Sequence, residues 1–164
     1  MPPEAVLICG IQGAGKSTLV RERFFDTHVR ISRDLLRTPH RERRFLQTCL
    51  ETRQPFVVDK INATAADRAP FVAAAQAAGF RTAAYWLDVR PRDAIERNAA
   101  RSGRARIPVQ AILGTYKRLE VPRFEEGFDE IWRVEVLADG FRVVSAPRAA
   151  PAPSDAGRAA SEVA

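Results

Sequence analysis

The feature that most constrains this chain is a glycine-rich segment at residues 10–17, GIQGAGKS, which matches the pattern G-x-x-x-x-G-K-[ST] in full. An apolar run at residues 5–9 precedes it, and an amphipathic stretch at residues 16–25 follows it. Glycines in such a loop let backbone N–H groups approach phosphates at a helix N-terminus, where the helix dipole favours negative charge. A chance glycine-rich turn explains the complete motif in this context poorly, so the segment predicts nucleotide binding.

Two side chains of this segment predict its chemistry. Lys16 would place a positive charge at the β- and γ-phosphates of a nucleotide. Ser17 would offer a hydroxyl ligand to Mg²⁺, which prefers oxygen donors. The segment therefore predicts ATP and Mg²⁺ as cofactors, with Lys16 taking part in catalysis and Ser17 binding the metal.

Apolar and amphipathic stretches alternate along the chain, which predicts an α/β fold of three layers, a central parallel sheet with helices on both faces, as in P-loop kinases. The expected strands are residues 5–9, 28–31, 56–59 and 81–89, with a terminal hairpin at 131–136 and 141–144. Five helices are expected. Three of them cover residues 16–25, residues 34–53 with a kink or break at Pro39, and residues 91–101. Another is capped by Thr64 or Asp67 and stops at Gly79, and the last begins at Pro108 and ends before Pro122.

The length and composition predict one folded domain at residues 1–145, because a chain of 164 residues supports a single core. Residues 146–164 are rich in Ala, Pro, Ser and Gly, which predicts a disordered tail. No apolar run approaches the roughly 20 residues that span a membrane, and the N-terminus does not resemble a signal peptide. The two cysteines, Cys9 and Cys49, fit no disulfide framework or metal spacing, which predicts a reducing, cytoplasmic compartment.

The chain is basic, with a formal net charge of +6 and a sequence pI of about 10.1. All but three of its 26 basic residues are arginine. Clustered arginines favour a polyanionic partner such as nucleic acid. A genome-wide bias towards arginine and alanine would give the same composition, so charge alone does not select the partner.

Candidate acceptor residues follow the second and third predicted strands. Asp34 could take the proton of an attacking hydroxyl, and Arg37, one helical turn later, could hold an acceptor phosphate. The alternative is that Asp34 caps a helix and Arg37 is solvated. Asp59 ends an apolar strand, where an acid could orient a magnesium-bound water or the substrate. The alternative is that Asp59 is simply a polar residue at the end of a strand. Asn62, beyond Asp59, is compatible with a substrate contact.

Four arginines surround the predicted loop at residues 102–107, namely Arg97, Arg101, Arg104 and Arg106. Small P-loop kinases carry a lid at this point of the chain, so the loop predicts a basic lid. An arginine placed over the γ-phosphate would stabilise the charge of the transition state. Most arginines of a basic chain are solvated, so we expect at most two of the four to act in this way.

The order of these motifs resembles that of the 5′-hydroxyl polynucleotide kinases, the kinase domains of the phage and animal end-healing enzymes, over residues 6–136. The resemblance rests on the loop at residues 10–18, the Arg33-Asp34 pair, Asp59 with Asn62, Arg97-Asn98 with Arg101, and Ile107-Pro108-Val109. The stretch at residues 116–128, with Pro122 and Glu126-Gly127-Phe128, is most similar to the animal enzymes.

The resemblance implies a kinase that phosphorylates the 5′-hydroxyl end of DNA or RNA. Asp34 corresponds to the general base, Arg101 to the lid arginine on the donor phosphates, and Arg37 to an arginine near the acceptor's 3′-phosphate. Asp59 corresponds to an essential acid near the acceptor, and Asn62 falls in the same segment. The nucleotide-binding set thus comprises Gly10, Gly13, Ala14, Gly15, Lys16, Ser17, Thr18 and Arg101.

The chain departs from this family at several positions. Gln12 replaces a common proline, and Lys60 replaces a small or polar residue after the acid. No D-x-D-x-T phosphatase motif is present, so the phosphatase domain of the two-domain family members is absent from this sequence. Whether a separate phosphatase or ligase acts as a partner stays open. Two alternatives stay open: a kinase of a small hydroxyl compound, and a nucleotide-binding partner protein without turnover.

Overall fold

The computed structural model describes residues 1–103 and 106–148, and these form a six-stranded sheet. Its strands are β1 (Glu4–Cys9), β2 (Val29–Ile31), β3 (Phe56–Asp59), β4 (Arg81–Leu87), β5 (Glu130–Leu137) and β6 (Gly140–Ser145). They lie in the order β2-β3-β1-β4-β5-β6. The first five are parallel, and β6 pairs antiparallel with β5. The predicted parallel sheet with a terminal hairpin is confirmed.

Six helices flank the sheet in the described part of the chain: α1 (Lys16–Arg23), α2 (Arg33–Leu36), α3 (Pro39–Thr52), α4 (Ala65–Ala77), α5 (Pro91–Ala99) and α6 (Val109–Arg118). A short 3-10 helix, Phe124–Glu126, follows α6. The helix expected over residues 34–53 is in fact two helices, α2 and α3. Thr38 caps α3 by accepting a hydrogen bond from the Arg41 N–H (3.2 Å), and Pro39 takes the first helical position, where a missing N–H removes no intrahelical bond.

Strand β1 is buried on both faces, which explains its continuous apolar sequence. Val6 and Ile8 pack with side chains of α1, α5 and α6, whereas Ala5 and Leu7 pack with side chains of α2, α3 and α4. The helices therefore form the two outer layers of the predicted three-layer fold.

The start of α4 combines the two predicted caps. The Thr64 hydroxyl accepts a hydrogen bond from the Asp67 N–H (3.1 Å), and the Asp67 carboxylate accepts one from the Thr64 N–H (3.2 Å). This reciprocal capping box sets where α4 begins.

After β6 the described chain stays packed on the domain as far as Arg148. The Ala146 N–H donates to the Ile131 carbonyl (2.8 Å), and the Arg148 guanidinium lies 4.6 Å from the centre of the Phe124 ring. The rest of the predicted tail, residues 149–164, and the lid residue Arg104 lie outside the described residues. In the residues that are described, no helix has the length and apolar character to cross a membrane.

Candidate active site

A cleft of about 950 Å³ opens at the carboxyl ends of the parallel strands. The phosphate loop, α2 and the loop after β3 form its walls together with residues next to α5 and α6. The predicted site residues in these walls are Gly13, Gly15, Lys16, Ser17, Asp34, Arg37, Asp59, Asn62 and Arg101. Gly10 and Ala14 are buried within the loop, and Thr18 is exposed on α1, so these three do not line the cleft. Ligands of open α/β sheets bind at this edge.

The phosphate loop needs glycine at two positions for geometric reasons. Gly13 has φ 79°, and a Cβ atom there would lie 2.6 Å from the Ala94 carbonyl oxygen of α5. Gly15 adopts φ 105° as the N-cap of α1, a conformation that side-chain-bearing residues rarely adopt. The loop consequently packs against α5 and presents the N-terminus of α1 to the cleft.

The Lys16 side chain folds back onto the phosphate loop. Its Nζ donates hydrogen bonds to the carbonyl oxygens of Gly10 (3.0 Å) and Ile11 (2.8 Å). Burial is the main cause of the lowered pKa of Lys16, which is about 8; the carboxylate of Asp59 opposes the shift, and the positive charge of Arg101 contributes to it. An ammonium group held in this way is ready to exchange its carbonyl partners for nucleotide phosphates.

The Ser17 hydroxyl and Asp59 meet beside the loop, although they are 42 residues apart in the chain. Ser17 Oγ donates to Asp59 Oδ2 at 3.2 Å, and Asp59 is buried at the end of β3. This pair of hard oxygen donors fits Mg²⁺, which proteins bind through one or two such groups together with substrate phosphates. The described residues hold no cluster of three or more His, Cys, Asp or Glu that would bind a metal without such phosphates. The structure thus places Asp59 next to the predicted metal ligand.

Arg30 of β2 is a site residue that the sequence analysis missed. Its Nε donates to Asp59 Oδ2 at 2.8 Å, and one of its terminal nitrogens lies 2.7 Å from the same oxygen and 3.3 Å from Ser17 Oγ. The sequence does not predict this contact, because an arginine in a strand can equally well point to solvent. Only the pairing of β2 with β3 brings it to Asp59.

Asp34 and Arg37 line the cleft from α2. The cap of α2 is Ser32, whose hydroxyl accepts from the Leu35 N–H (3.4 Å), so Asp34 is not needed as the N-cap. Arg37 ends α2 with φ 76° and ψ −35°, an unfavourable conformation for a residue with a side chain. Backbone strain of this kind clusters at functional sites, which is consistent with the predicted role of Arg37.

Two further cations of the cleft share a buried partner. The Glu42 carboxylate of α3 pairs with the Arg33 guanidinium on one side and with Lys60 Nζ (3.1 Å) on the other. Arg33 and Lys60 both line the cleft. The pairing with Glu42 therefore holds Lys60 in the wall of the cleft.

Asn62 lines the cleft but also has a structural contact. It has φ 48°, it is buried, and its Nδ2 donates to the Ile8 carbonyl (2.8 Å). Its own carbonyl accepts from Arg68 (2.8 Å). Asn62 therefore ties the loop after β3 to the end of β1, and its predicted substrate contact stays a prediction.

The predicted lid region lies between α5 and α6. Arg101 lines the cleft, whereas Arg97 donates to the Ala14 carbonyl (3.1 Å), behind the phosphate loop. Arg106 is exposed and is not among the cleft residues. The Asn98 side-chain amide donates a hydrogen bond to the Ile107 carbonyl and accepts one from the Ile107 N–H, which connects the end of α5 to the residue before Pro108.

The sequence model of a known family, described as an AAA domain, matches residues 32–122, more than half of the chain. Among solved structures, a gluconokinase from Sinorhizobium meliloti is 22% identical, with 82% of this chain and 83% of that chain covered and a TM-score of 0.60. Kti12 from Chaetomium thermophilum, in complex with ADP-AlF3, is 14% identical, with 80% and 88% covered and a TM-score of 0.62. A structure from the PezAT toxin-antitoxin system of Streptococcus pneumoniae is 16% identical, with 87% and 70% covered and a TM-score of 0.60. At these identities the likeness shows a shared P-loop kinase-like fold.

Proposed function

Because the chain belongs to the AAA domain family and has a P-loop kinase-like fold, we propose that it transfers the γ-phosphoryl group of ATP to the 5′-hydroxyl end of a DNA or RNA strand. The observation that carries this proposal is a single cleft that contains both Lys16 and Ser17 of the phosphate loop and the carboxylate of Asp34. A donor site and a base for the acceptor thus face the same space.

The donor half of the cleft binds the nucleotide. Lys16 leaves the loop carbonyls for the β- and γ-phosphates, and Arg101 adds a second positive charge from the lid side. Ser17 would ligate Mg²⁺, and Asp59 would orient the metal. The metal would neutralise negative charge of the phosphates. The role of Asp59 is therefore proposed on the metal side rather than on the acceptor.

Asp34 acts on the acceptor. Its carboxylate accepts the proton of the 5′-hydroxyl as the new oxygen–phosphorus bond forms and the bond to the ADP oxygen breaks. Asp34 lies on the short α2, which follows β2, and it lines the same cleft as the phosphate loop. A base at this position deprotonates the 5′-hydroxyl only when that hydroxyl of the nucleic acid is in line with the γ-phosphate.

Positive charge in the cleft supports a polyanionic substrate. Arg33, Arg37, Lys60 and Arg118 line the cleft, although Arg33 and Lys60 share the Glu42 carboxylate, and the chain as a whole carries a net charge of +6. Phosphates of a nucleic acid strand next to the reacting hydroxyl would meet these cations. A separate phosphatase or ligase partner would act on the same strand ends.

The test is transfer of the γ-phosphoryl group from ATP with Mg²⁺ to a 5′-hydroxyl oligonucleotide. Replacing Asp34 by Ala should lower kcat by about 10²- to 10⁴-fold and leave ATP binding intact. The matched control is Asp26→Ala, which removes an exposed acid after α1 and should keep parental activity. Absence of transfer by the parent protein while ATP binds would exclude the polynucleotide substrate.

A small hydroxyl compound is the second candidate acceptor, and the similarity to a gluconokinase favours it. The same assay separates the two, because a sugar acid or nucleoside offered beside the oligonucleotide competes for one γ-phosphoryl donor. A nucleotide-binding partner protein without turnover, the third alternative, would bind ATP and phosphorylate none of these acceptors.

A further inference from the structure

Arg30 occupies the position at which the proposed metal site forms. Three of its contacts, at 2.7, 2.8 and 3.3 Å, go to Asp59 Oδ2 and Ser17 Oγ, the oxygens that the proposed function assigns to Mg²⁺. The guanidinium and the Ser17 hydroxyl thus both donate to one carboxylate oxygen. A second cation cannot approach these oxygens closely while the guanidinium is in place, because like charges a few ångströms apart repel.

The two partners of this ion pair differ in their freedom to move. The Asp59 side chain is only 3% exposed at the end of β3, whereas the Arg30 side chain is 37% exposed. An arginine has a long flexible stem, and its charged head can reach water while the stem stays on the protein. Arg30, and not Asp59, is therefore the partner that can leave.

We infer that Arg30 is an internal cation that holds Ser17 and Asp59 together in the free protein and swings away when Mg²⁺ arrives with the nucleotide. This inference rests on the proposed Mg²⁺–ATP chemistry. The nucleotide phosphates add several negative charges beside the site, and these attract the metal strongly enough to displace a single guanidinium charge. The free metal ion, without phosphates, meets a site whose carboxylate is already neutralised. Arg30 thus makes metal binding depend on nucleotide binding.

Binding of Mn²⁺, a paramagnetic substitute for Mg²⁺, tests the inference without any activity measurement. Electron paramagnetic resonance would give the Mn²⁺ affinity of the full chain with and without ADP. Arg30→Gln removes the charge and should strengthen nucleotide-free Mn²⁺ binding roughly tenfold or more, since one neighbouring charge shifts comparable equilibria by at least a factor of ten. Arg30→Lys keeps the charge and should stay close to the parent protein.

The matched control is Arg21→Gln on α1, which makes the same change in net charge at an exposed position. It should leave Mn²⁺ affinity unchanged. If Arg30→Gln binds free Mn²⁺ no better than the parent while ADP binding is normal, the inference is wrong. If the parent binds no Mn²⁺ even with ADP, the proposed metal chemistry itself fails, and this outcome is distinct from the first.

A second measurement uses the unaltered protein and does not depend on how a variant folds. The Arg30 Nε–H should exchange slowly with solvent in the free protein, because it donates to a buried carboxylate. Addition of Mg²⁺ with ADP should increase its exchange rate in nuclear magnetic resonance spectra. Protection that persists in the complex would overturn the inference.

Discussion

We propose that the protonation state of Lys16 governs binding of the nucleotide phosphates in the cleft. Burial, together with the smaller effect of the positive charge of Arg101, lowers the pKa of Lys16 from the ordinary value of 10.5 to about 8, although the charge of Asp59 partly compensates. Only the protonated ammonium attracts phosphates. A bound nucleotide, with its negative charge, raises the pKa of Lys16 again, so nucleotide binding takes up a proton above about pH 8.

We therefore predict that ATP affinity is constant below about pH 8 and falls above it, approaching tenfold per pH unit. Calorimetric titration with ATP from about pH 7 to about pH 9.5 would measure this dependence. Lys16→Ala should bind ATP weakly and lose the pH dependence in this range. An affinity that stays constant up to about pH 9.5 would contradict the prediction.

The residues of the site differ in how much the neighbouring sequence indicates their place in the cleft. Lys16 and Ser17 belong to a contiguous motif, and both line the cleft, while their roles at the phosphates and the metal stay predictions. Asp34 also faces the cleft, but its role as the base stays a prediction. Arg30 had no local signal, because its partner Asp59 is 29 residues away in the chain.

Among the helices, α4 is held at its N-terminal end by one buried arginine. Arg68 is fully buried, and its guanidinium donates twice to the Glu126 carboxylate (2.7 and 2.9 Å). It also donates to the carbonyls of Asn62 (2.8 Å) and Glu120 (2.9 Å). Arg68 therefore joins α4, the loop after β3 and the segment after α6, and the first two of these contribute residues to the cleft wall.

Replacing Arg68 by Met should lower the free energy of unfolding by about 3 to 5 kcal/mol, because Glu126 and the carbonyls of Asn62, Ala63 and Glu120 lose their buried donor. Urea denaturation would measure the change. The double variant Arg68→Met/Glu126→Gln should recover part of it, since no unpaired charge is left. Arg92→Met is the control, because Arg92 is 85% exposed with a 3.7 Å ion pair, and it should change stability by less than about 1 kcal/mol. Equal effects of the two single variants would contradict this prediction.

Element boundaries followed from local chemistry where a cap or a proline was present. Pro39 predicted a kink or break, and the Thr38 cap makes it a break. Without such a signal the boundaries shifted: β4 ends at Leu87 and α5 at Ala99, each two residues before the predicted end. These ends depend on packing against neighbouring elements, which the local sequence does not encode.

At the scale of the whole molecule, the net charge of +6 has a consequence for substrate binding. If the acceptor is a nucleic acid strand, its KM should rise with salt, because each neutralised phosphate releases counterions. Three contacted phosphates of a single strand predict about a tenfold increase in KM when salt is tripled. Steady-state kinetics with a long oligonucleotide would measure this slope. A dinucleotide acceptor, with one phosphate, is the control and should show a much smaller slope; equal slopes would argue against strand binding.

The sequence by itself determined the fold class, the phosphate loop and the parallel sheet with its terminal hairpin, since these depend on contiguous patterns of apolar residues, glycines and turns. Only the tertiary structure decided which distant side chains share the cleft. The strand order β2-β3-β1 brings Arg30 and Asp59 to Ser17, and the burial of Glu42 sets the positions of Arg33 and Lys60. Strand order and burial are properties of the packed chain, because each depends on contacts between segments that are far apart in the sequence.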